Sequence, residues 1–329
     1  MESVVELSSA LEDERDRGAL SASLHLPYAA VPGLDLKFRA ERLQRAFASA
    51  RSRGGRALAL RAADGALLGL LLLEPLPHET RHFARRCARI SYCDAFGDSD
   101  DERARRAAAL LASAVKIAEQ EELEVLWTQL RAIDYALQRA LSGAGFRCVD
   151  ALVDWVARAD ALALGAADAP NLEHGARASL AVACGALAAE EMRFNRFRAE
   201  PRFERERVDG LYRELGERCA RGEIGAHFLC ARDAAGELLG FAALDWSARR
   251  SEGAPCDMAA FRFLVRRSGA PRGTGTALLD AGCRWLRERG AELLLAQTVL
   301  QNAGMFRSAL RLGFRVEDSL YDFFRWRSA

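Results

Sequence analysis

The sharpest change of pattern along the chain falls between residues 261 and 286. Phe261, Phe263, Leu264 and Val265 form an apolar run that reads as a buried strand. Leu278, Leu279, Gly282, Trp285 and Leu286 recur at the three-to-four spacing of a helix with one apolar face. Arg272-Gly273-Thr274-Gly275-Thr276-Ala277 joins the two as a glycine-rich turn. Downstream, 292–298 reads as a further strand, Asn302 opens a short helix, and Gly313 in Leu-Gly-Phe caps its end. Upstream, the apolar run 67–73 is long enough for a buried strand and too short to cross a bilayer. Residues 64–69 and 235–240 read as glycine-centred turns of β-hairpins. Residues 179–192 and 205–222 read as helices, the second heavily charged.

These elements repeat. Residues 124–156 align without a gap on 292–324. Ala-Gly-Phe-Arg at 144–147 meets Leu-Gly-Phe-Arg at 312–315, and Asp150, Leu152 and Asp154 meet Asp318, Leu320 and Asp322. The two hairpin turns match at nearly the same spacing, so the pattern is that of a duplicated unit. The copies are unequal: Ala104-Arg105-Arg106-Ala107 stands where the other has Arg272-Gly273-Thr274-Gly275, and Asp134 stands where it has Asn302. Side chains in such a turn obstruct the close backbone approach that a diphosphate requires. The first copy is therefore expected to have lost anion binding and to serve as structure. The divisions expected are a degenerate domain over 1–156, an Ala/Gly/Asp-rich linker over 157–174 that equally reads as a frayed helix, and a working domain over 175–329.

A glycine turn between a strand and a helix start presents backbone amides, and the positive end of the helix dipole, to an anion. Arg272 adds a charged donor. With the strand before it, the helix after it and the later Asn and Leu-Gly-Phe landmarks, this segment resembles the GNAT superfamily of N-acyltransferases. Their R/Q-x-x-G-x-G/A signature is filled here by Arg272, Gly275 and Ala277. Over most of the chain, and more weakly in the first half, the sequence also resembles the TDP-fucosamine acetyltransferases, through a degenerate first half and the Phe194-to-Phe203 segment Phe-Asn-Arg-Phe-Arg-Ala-Glu-Pro-Arg-Phe. The resemblance implies an α/β (α+β) fold of two tandem GNAT-like domains, each a mixed, mostly antiparallel sheet flanked by helices.

It further implies acetyl-CoA or another acyl-CoA as cosubstrate, a small-molecule amine as acceptor (an amino-sugar nucleotide among the candidates), direct attack on the thioester, and no metal. The diphosphate would lie on Arg272, Gly273, Thr274, Gly275, Thr276 and Ala277. The pantetheine arm would pair with the backbone of Leu264 and Val265, where two strands splay apart, and with Asn302, which also reads as a plain helix N-cap. Asp257 is the acid nearest in sequence for a general base, and equally a solvated strand-end charge. The tyrosine that the family uses as general acid is replaced by Ala309; Ser308 is adjacent but weakly acidic, and Tyr321 stands in reserve, or is a core residue of the last strand. His227 reads as structural. A non-catalytic acyl-CoA-binding or interaction protein is the competing expectation.

Composition narrows the setting. The chain has 329 residues, half of them hydrophobic, and a net charge of +1 with no basic block, so nucleic acid is not an expected partner. Lysine occurs only at 37 and 116, which lowers the meaning of any single arginine. Eight scattered cysteines without metal spacing favour free thiols, and the acidic N-terminus lacks a signal-peptide core; a cytoplasmic location is expected. Phe323 to Arg327 reads as a final core strand or as cover for a homodimer contact.

Overall fold

The computed structural model describes residues 2–7, 16, 18, 20, 23, 25, 34–165, 172–246 and 256–327. The chain divides into two compact units, 1–151 with 319–329, and 152–318. Elements in the first part of the chain are β1 (Ser3–Glu6), α1 (Leu36–Ser52), β2 (Arg56–Arg61), β3 (Leu67–Pro75), α2 (Pro77–Phe83), β4 (Cys87–Ala95), α3 (Asp100–Gln120), β5 (Val125–Arg131), α4 (Tyr135–Gly143) and β6 (Arg147–Arg158). There follow β7 (Leu172–His174), α5 (Ala181–Glu191), α6 (Arg196–Ala199), α7 (Arg205–Arg221), β8 (His227–Arg232), β9 (Leu238–Trp246), β10 (Met258–Arg266), α8 (Thr274–Glu288), β11 (Leu293–Val299), α9 (Ala303–Leu312) and β12 (Arg315–Trp326).

Within each unit the strands are antiparallel except one pair, β4 with β5 and β10 with β11. The first unit's strand order is β1-β2-β3-β4-β5-β12 and the second's is β6-β11-β10-β9-β8-β7. The repeat read from the sequence is thus a repeat of structure, with the final strands exchanged. β12, at the end of the chain, pairs with β5 from Leu320↔Arg131 to Trp326↔Val125. β6, from the middle of the chain, pairs with β11 from Leu293↔Arg158 to Val299↔Leu152. Contiguous domains over 1–156 and 175–329 do not describe this arrangement. The matched Asp-x-Leu-x-Asp patterns of β6 and β12 let either strand fit either edge, and covalent linkage makes the exchange intramolecular. The expected linker, 157–174, is also partly ordered. Its first residues complete β6, Ala159–Ala161 forms a 3-10 turn, and β7 pairs with β8; 166–171 lie outside the described residues.

Each sheet buries apolar side chains on both faces, as the continuous apolar run of β3 requires. In the first unit one layer gathers Leu58, Leu71, Ile90, Leu110, Leu126 and Phe323. The opposite layer gathers Leu43, Phe47, Leu70, Leu72 and Tyr92. In the second unit Trp155, Leu244, Leu278, Leu279, Leu294, Ala309 and Phe314 form one core. Phe323 and Phe324 are buried, so the last strand is core. No disulfide joins the cysteines. No helix among the described residues is long and apolar enough to cross a membrane.

At one edge of the second sheet, His227 lies flat on Trp285, ring centroids 3.9 Å apart, with Arg289 3.9 Å from the centre of the same indole. His174 Nδ1 and His227 Nε2 are 3.0 Å apart. His227 is therefore packed, as a structural residue should be. Burial, then the neighbouring His174 and the Arg289 charge, push its pKa down to about 4.

Two outcomes follow from these arrangements. Phe324→Ala should cost about 3–5 kcal/mol and should speed amide exchange in β2, β3 and β5 while leaving β9 to β11 protected; loss concentrated in the second unit would contradict the exchanged strand. Because His227 is neutral in the fold down to about pH 4 but takes up its proton near 6.5 when unfolded, the unfolded chain binds more protons between those values. Stability from this group is present above the unfolded pKa and falls as pH drops through that window. Thermal melts of His227→Phe should show a flatter dependence there than the parent chain.

Candidate functional site

In the second unit the parallel strands part company early. β10 and β11 pair only at Met258↔Leu293, Ala259↔Leu294 and Ala260↔Leu295. Beyond that point β10 follows β9 as far as Arg266↔Gly240, and β11 follows β6 as far as Val299↔Leu152. A bulge at Arg262, between the Phe261 and Phe263 pairings, falls where the strands separate. From there the edge of β10 that faces β11 lacks a strand partner among the described residues. The bond from Arg267 N to Leu239 O fixes which groups face the opening. Antiparallel pairing alternates, so Phe263 and Val265 turn their backbone groups to β9, while Leu264 and Arg266 turn theirs to the opened side. Of the pair Leu264 and Val265, only Leu264 offers its amide there; Arg266 is the residue that sequence reasoning missed, and strand alternation was the available signal.

The opening leads to the glycine turn. Gly273 is the N-cap of α8 at φ 96°, a left-handed conformation that favours glycine. Among the described residues no side chain caps this helix, and no acid lies in its first turn. Thr274 N is bonded to Pro271 O and Ala277 N to Gly273 O, which leaves the Gly275 and Thr276 amides without a partner among the described residues. These are two of the orphan donors of a helix start. A Cβ on Gly275 would meet only Arg266 Cδ, at 3.5 Å, so the site in front of it is open. Arg272 is exposed and makes no ion pair among the described residues. Thr276 Oγ1 lies 2.8 Å from Ser308 Oγ and ties α8 to α9.

The remaining candidates fall less together. Asn302 caps α9, its Oδ1 accepting from Met305 N at 3.1 Å while its Nδ2 donates to Thr298 Oγ1. Its amide is thus spent within the unit. Asp257 sits before β10, where its carbonyl accepts from Glu292 N and Leu293 N and closes the paired end. That end is roughly 13 Å of strand from the bulge and away from the turn. Tyr321 belongs to the first unit, opposite Leu130 and packed on that unit's core. The strand exchange removes it from the unit that carries the turn. Ala309 is fully buried in the second core rather than lining an opening. Trp155, from the exchanged β6, pairs with Ala296 at the first position of β11 past the separation. Its indole packs edge-to-face on Phe306 at 4.8 Å.

The first unit has the same framework with side chains bonded to its opened edge at Ala95. β4 and β5 pair from Cys87↔Val125 to Ile90↔Thr128 and then separate, and a bulge at Ser91 matches Arg262. Counting from the bulge, Asp94 takes the place of Val265 and Ala95 that of Arg266. Both backbone groups of Ala95 are occupied: its amide donates to Asp94 Oδ1 at 2.8 Å and its carbonyl accepts from Arg103 Nε at 3.0 Å. Arg103 also donates to Asp134 at 2.7 Å, and Asp134 meets His25 Nε2 at 2.8 Å. Burial pushes the Asp134 carboxyl up, but bonds from His25 and the Leu137 amide, with the charges of His25 and Arg103, outweigh it and hold its pKa down to about 2. Arg103 already supplies the cation among His25, Asp94 and Asp134, so the group carries its own counter-charge rather than a metal's place.

Nor is there a turn to obstruct. Ala104 to Ala107 lie inside α3, which starts at Asp100, so their amides are consumed by helix bonds. The expectation that arginines fill a turn is corrected: helix replaces it. The start of α3 is capped by Ser99 and carries Asp100, Asp101 and Glu102, three charges that repel an anion.

Residues 189–314 match the family model described as acetyltransferase (GNAT) family. No curated protein sequence matches the chain. Among solved structures, a tandem GNAT protein from the clavulanic acid biosynthesis pathway is 20% identical with a TM-score of 0.59, the similarity covering 100% of this chain and 99% of that one. A glucosamine N-acetyltransferase region of a fungal multi-domain β-N-acetylglucosaminidase is 12% identical with a TM-score of 0.65, covering 99% of this chain and 38% of that one. A GCN5-related N-acetyltransferase from Sphaerobacter thermophilus is 17% identical with a TM-score of 0.56, covering 87% and 85%. At such identities the likeness speaks for fold, and together with the family match it establishes that this chain carries the GNAT acetyltransferase fold.

Proposed function

We propose that the second unit transfers an acetyl or other acyl group from CoA to the primary amine of a small molecule, and that the first unit binds no CoA. One contrast carries the reading. In the second unit an unpartnered strand edge leads to an uncapped, acid-free helix start beside the exposed Arg272. In the first, the counterpart of Arg266, Ala95, has both backbone groups taken by side chains, and the matching helix start bears three acids.

In this reading the diphosphate lies on the Gly275 and Thr276 amides with Arg272, and the pantetheine arm runs along β10 as an added strand on the Leu264 and Arg266 backbone groups. The thioester would reach the separation near the bulge, where a backbone amide stabilises the oxyanion of direct amine attack. The carbon–sulfur bond breaks as the carbon–nitrogen bond forms; the amine proton leaves to base or water, and CoA departs as thiolate. A thiol near pKa 8.5 is a fair leaving group without an acid, and general acid help is worth about 10²–10⁴-fold. The acceptor class is left as a small amine, with an amino-sugar nucleotide as one candidate. A second reading, binding of acyl-CoA without transfer, is favoured by the burial of Ala309, which leaves no side chain where the family keeps its acid.

Calorimetry with acetyl-CoA should show one site per chain. Gly275→Tyr should abolish it, because the new ring occupies the open approach while its Cβ meets only ordinary contact. Arg272→Glu should weaken it at least tenfold through loss of a charge-assisted bond worth about 1.5–3 kcal/mol. Arg103→Ala should leave affinity unchanged; loss of binding there would place the ligand in the first unit. Thiol release over a panel of amines separates transfer from binding alone. Ala309→Tyr is expected to overpack the core at a cost of about 1–3 kcal/mol or more, visible as a lowered melting temperature.

A further inference from the structure

Glu191 is the last residue of α5, where the helix dipole favours a cation and disfavours an acid. Its side chain is only 7% exposed. Both carboxylate oxygens bond to Ser268, far along the chain: Oε1 accepts from Ser268 N at 2.6 Å and Oε2 from Ser268 Oγ at 2.7 Å, with Arg193 Nη2 3.7 Å from Oε2. Ser268 lies in the segment that links β10 to α8, four residues before Arg272. The rest of that segment is held from within. Arg267 N bonds to Leu239 O, Ala270 N to Arg267 O, and Arg266 Nη1 to Ala270 O. Beyond Ala270, Pro271, Arg272 and Gly273 are exposed, and the orphan amides follow. The bonds from Ser268 to Glu191 fasten this turn to helix α5.

We infer that Glu191 is a positioning residue for acyl-CoA, holding Ser268 and through it the 269–276 turn so that the Gly275 and Thr276 amides and Arg272 face the ligand. The inference rests on the acyl-CoA reading of that turn. It makes a specific prediction about sign. A carboxylate near an anion site repels the anion, so if its charge were its main effect, neutralising it would tighten CoA binding. If it positions the turn, neutralising it loosens binding, because a charge-assisted pair of bonds is weakened.

The test is acetyl-CoA affinity by calorimetry for the full chain and for Glu191→Gln, Glu191→Ala and Ser268→Ala, with amide exchange of 269–276 followed without ligand. The expected order of loss is about threefold for Ser268→Ala, more for Glu191→Gln, and at least tenfold for Glu191→Ala. Faster exchange should be confined to 269–276, with β10 and the rest of α8 unchanged. Where turnover is measurable, KM for acetyl-CoA should rise while kcat at saturation holds. Partial retention in Glu191→Gln relative to Glu191→Ala marks positioning. If Glu191→Ala does not fold, Ser268→Ala and Glu191→Gln carry the decision. Wild-type affinity in the folded variants, or tighter binding in Glu191→Gln, overturns the inference and leaves the acyl-CoA reading standing. Absence of acetyl-CoA binding by the parent chain overturns both.

Discussion

A strand edge without a partner is the feature on which the rest depends. Backbone amides are obligatory hydrogen-bonding groups, and an open edge is satisfied by water, by the protein's own side chains or by a ligand. Both units create the opening in the same way, by letting two parallel strands separate after a few pairs and placing a bulge at the parting. They then diverge. The first unit ties up Ala95 on that edge with Asp94 and Arg103, which are bonded in turn to Asp134 and Ser23, and Asp134 to His25. The second leaves Leu264 and Arg266 to face the opening, and the orphan amides of α8 continue the same run of donors. On the proposed reading, one duplicated framework yields a structural copy and a binding copy through a handful of side chains.

Exchange of β6 and β12 adds a dependence between the copies. Each unit's sheet is completed by a strand from the other repeat, so neither repeat can be removed without opening the other's sheet edge. Trp155 shows the consequence within the second unit. It comes from the first repeat, yet it packs on Phe306 and pairs with Ala296 in the core that also buries Ala309. Ala309 is fully buried, so the volume that a tyrosine side chain there would need is core in this chain.

Much of this was legible in the sequence for local reasons. Helix α7 has a charged, periodic pattern and ends at Arg221, one residue short of the expected stop, with Gly222 as its cap at φ 76°. Gly313 caps α9 at φ 95° as its Leu-Gly-Phe setting implied. The glycine turn lies between the strand and the helix that its flanks announced. What was not legible was non-local. β6 and β12 carry the same alternation, so pattern alone assigns each to its own repeat, and Tyr321 was misplaced with it. The loss of the first turn reads in sequence as bulky substitution, but the helix start had moved to Ser99, whose capping signal with Glu102 was available and unused. Pairing of Ser268 with Glu191 leaves no sequence trace beyond an acid at a helix end.

The central claim is that an open strand edge and an uncapped helix start in the second unit form one continuous ligand site, absent from the first. Residue-resolved amide exchange with and without acetyl-CoA tests this most directly. The account predicts new protection at Leu264, Arg266, Gly275 and Thr276, and none at Ala95 or the first turn of α3. Protection confined to the first unit, or unchanged exchange at all four positions despite bound ligand, would contradict it.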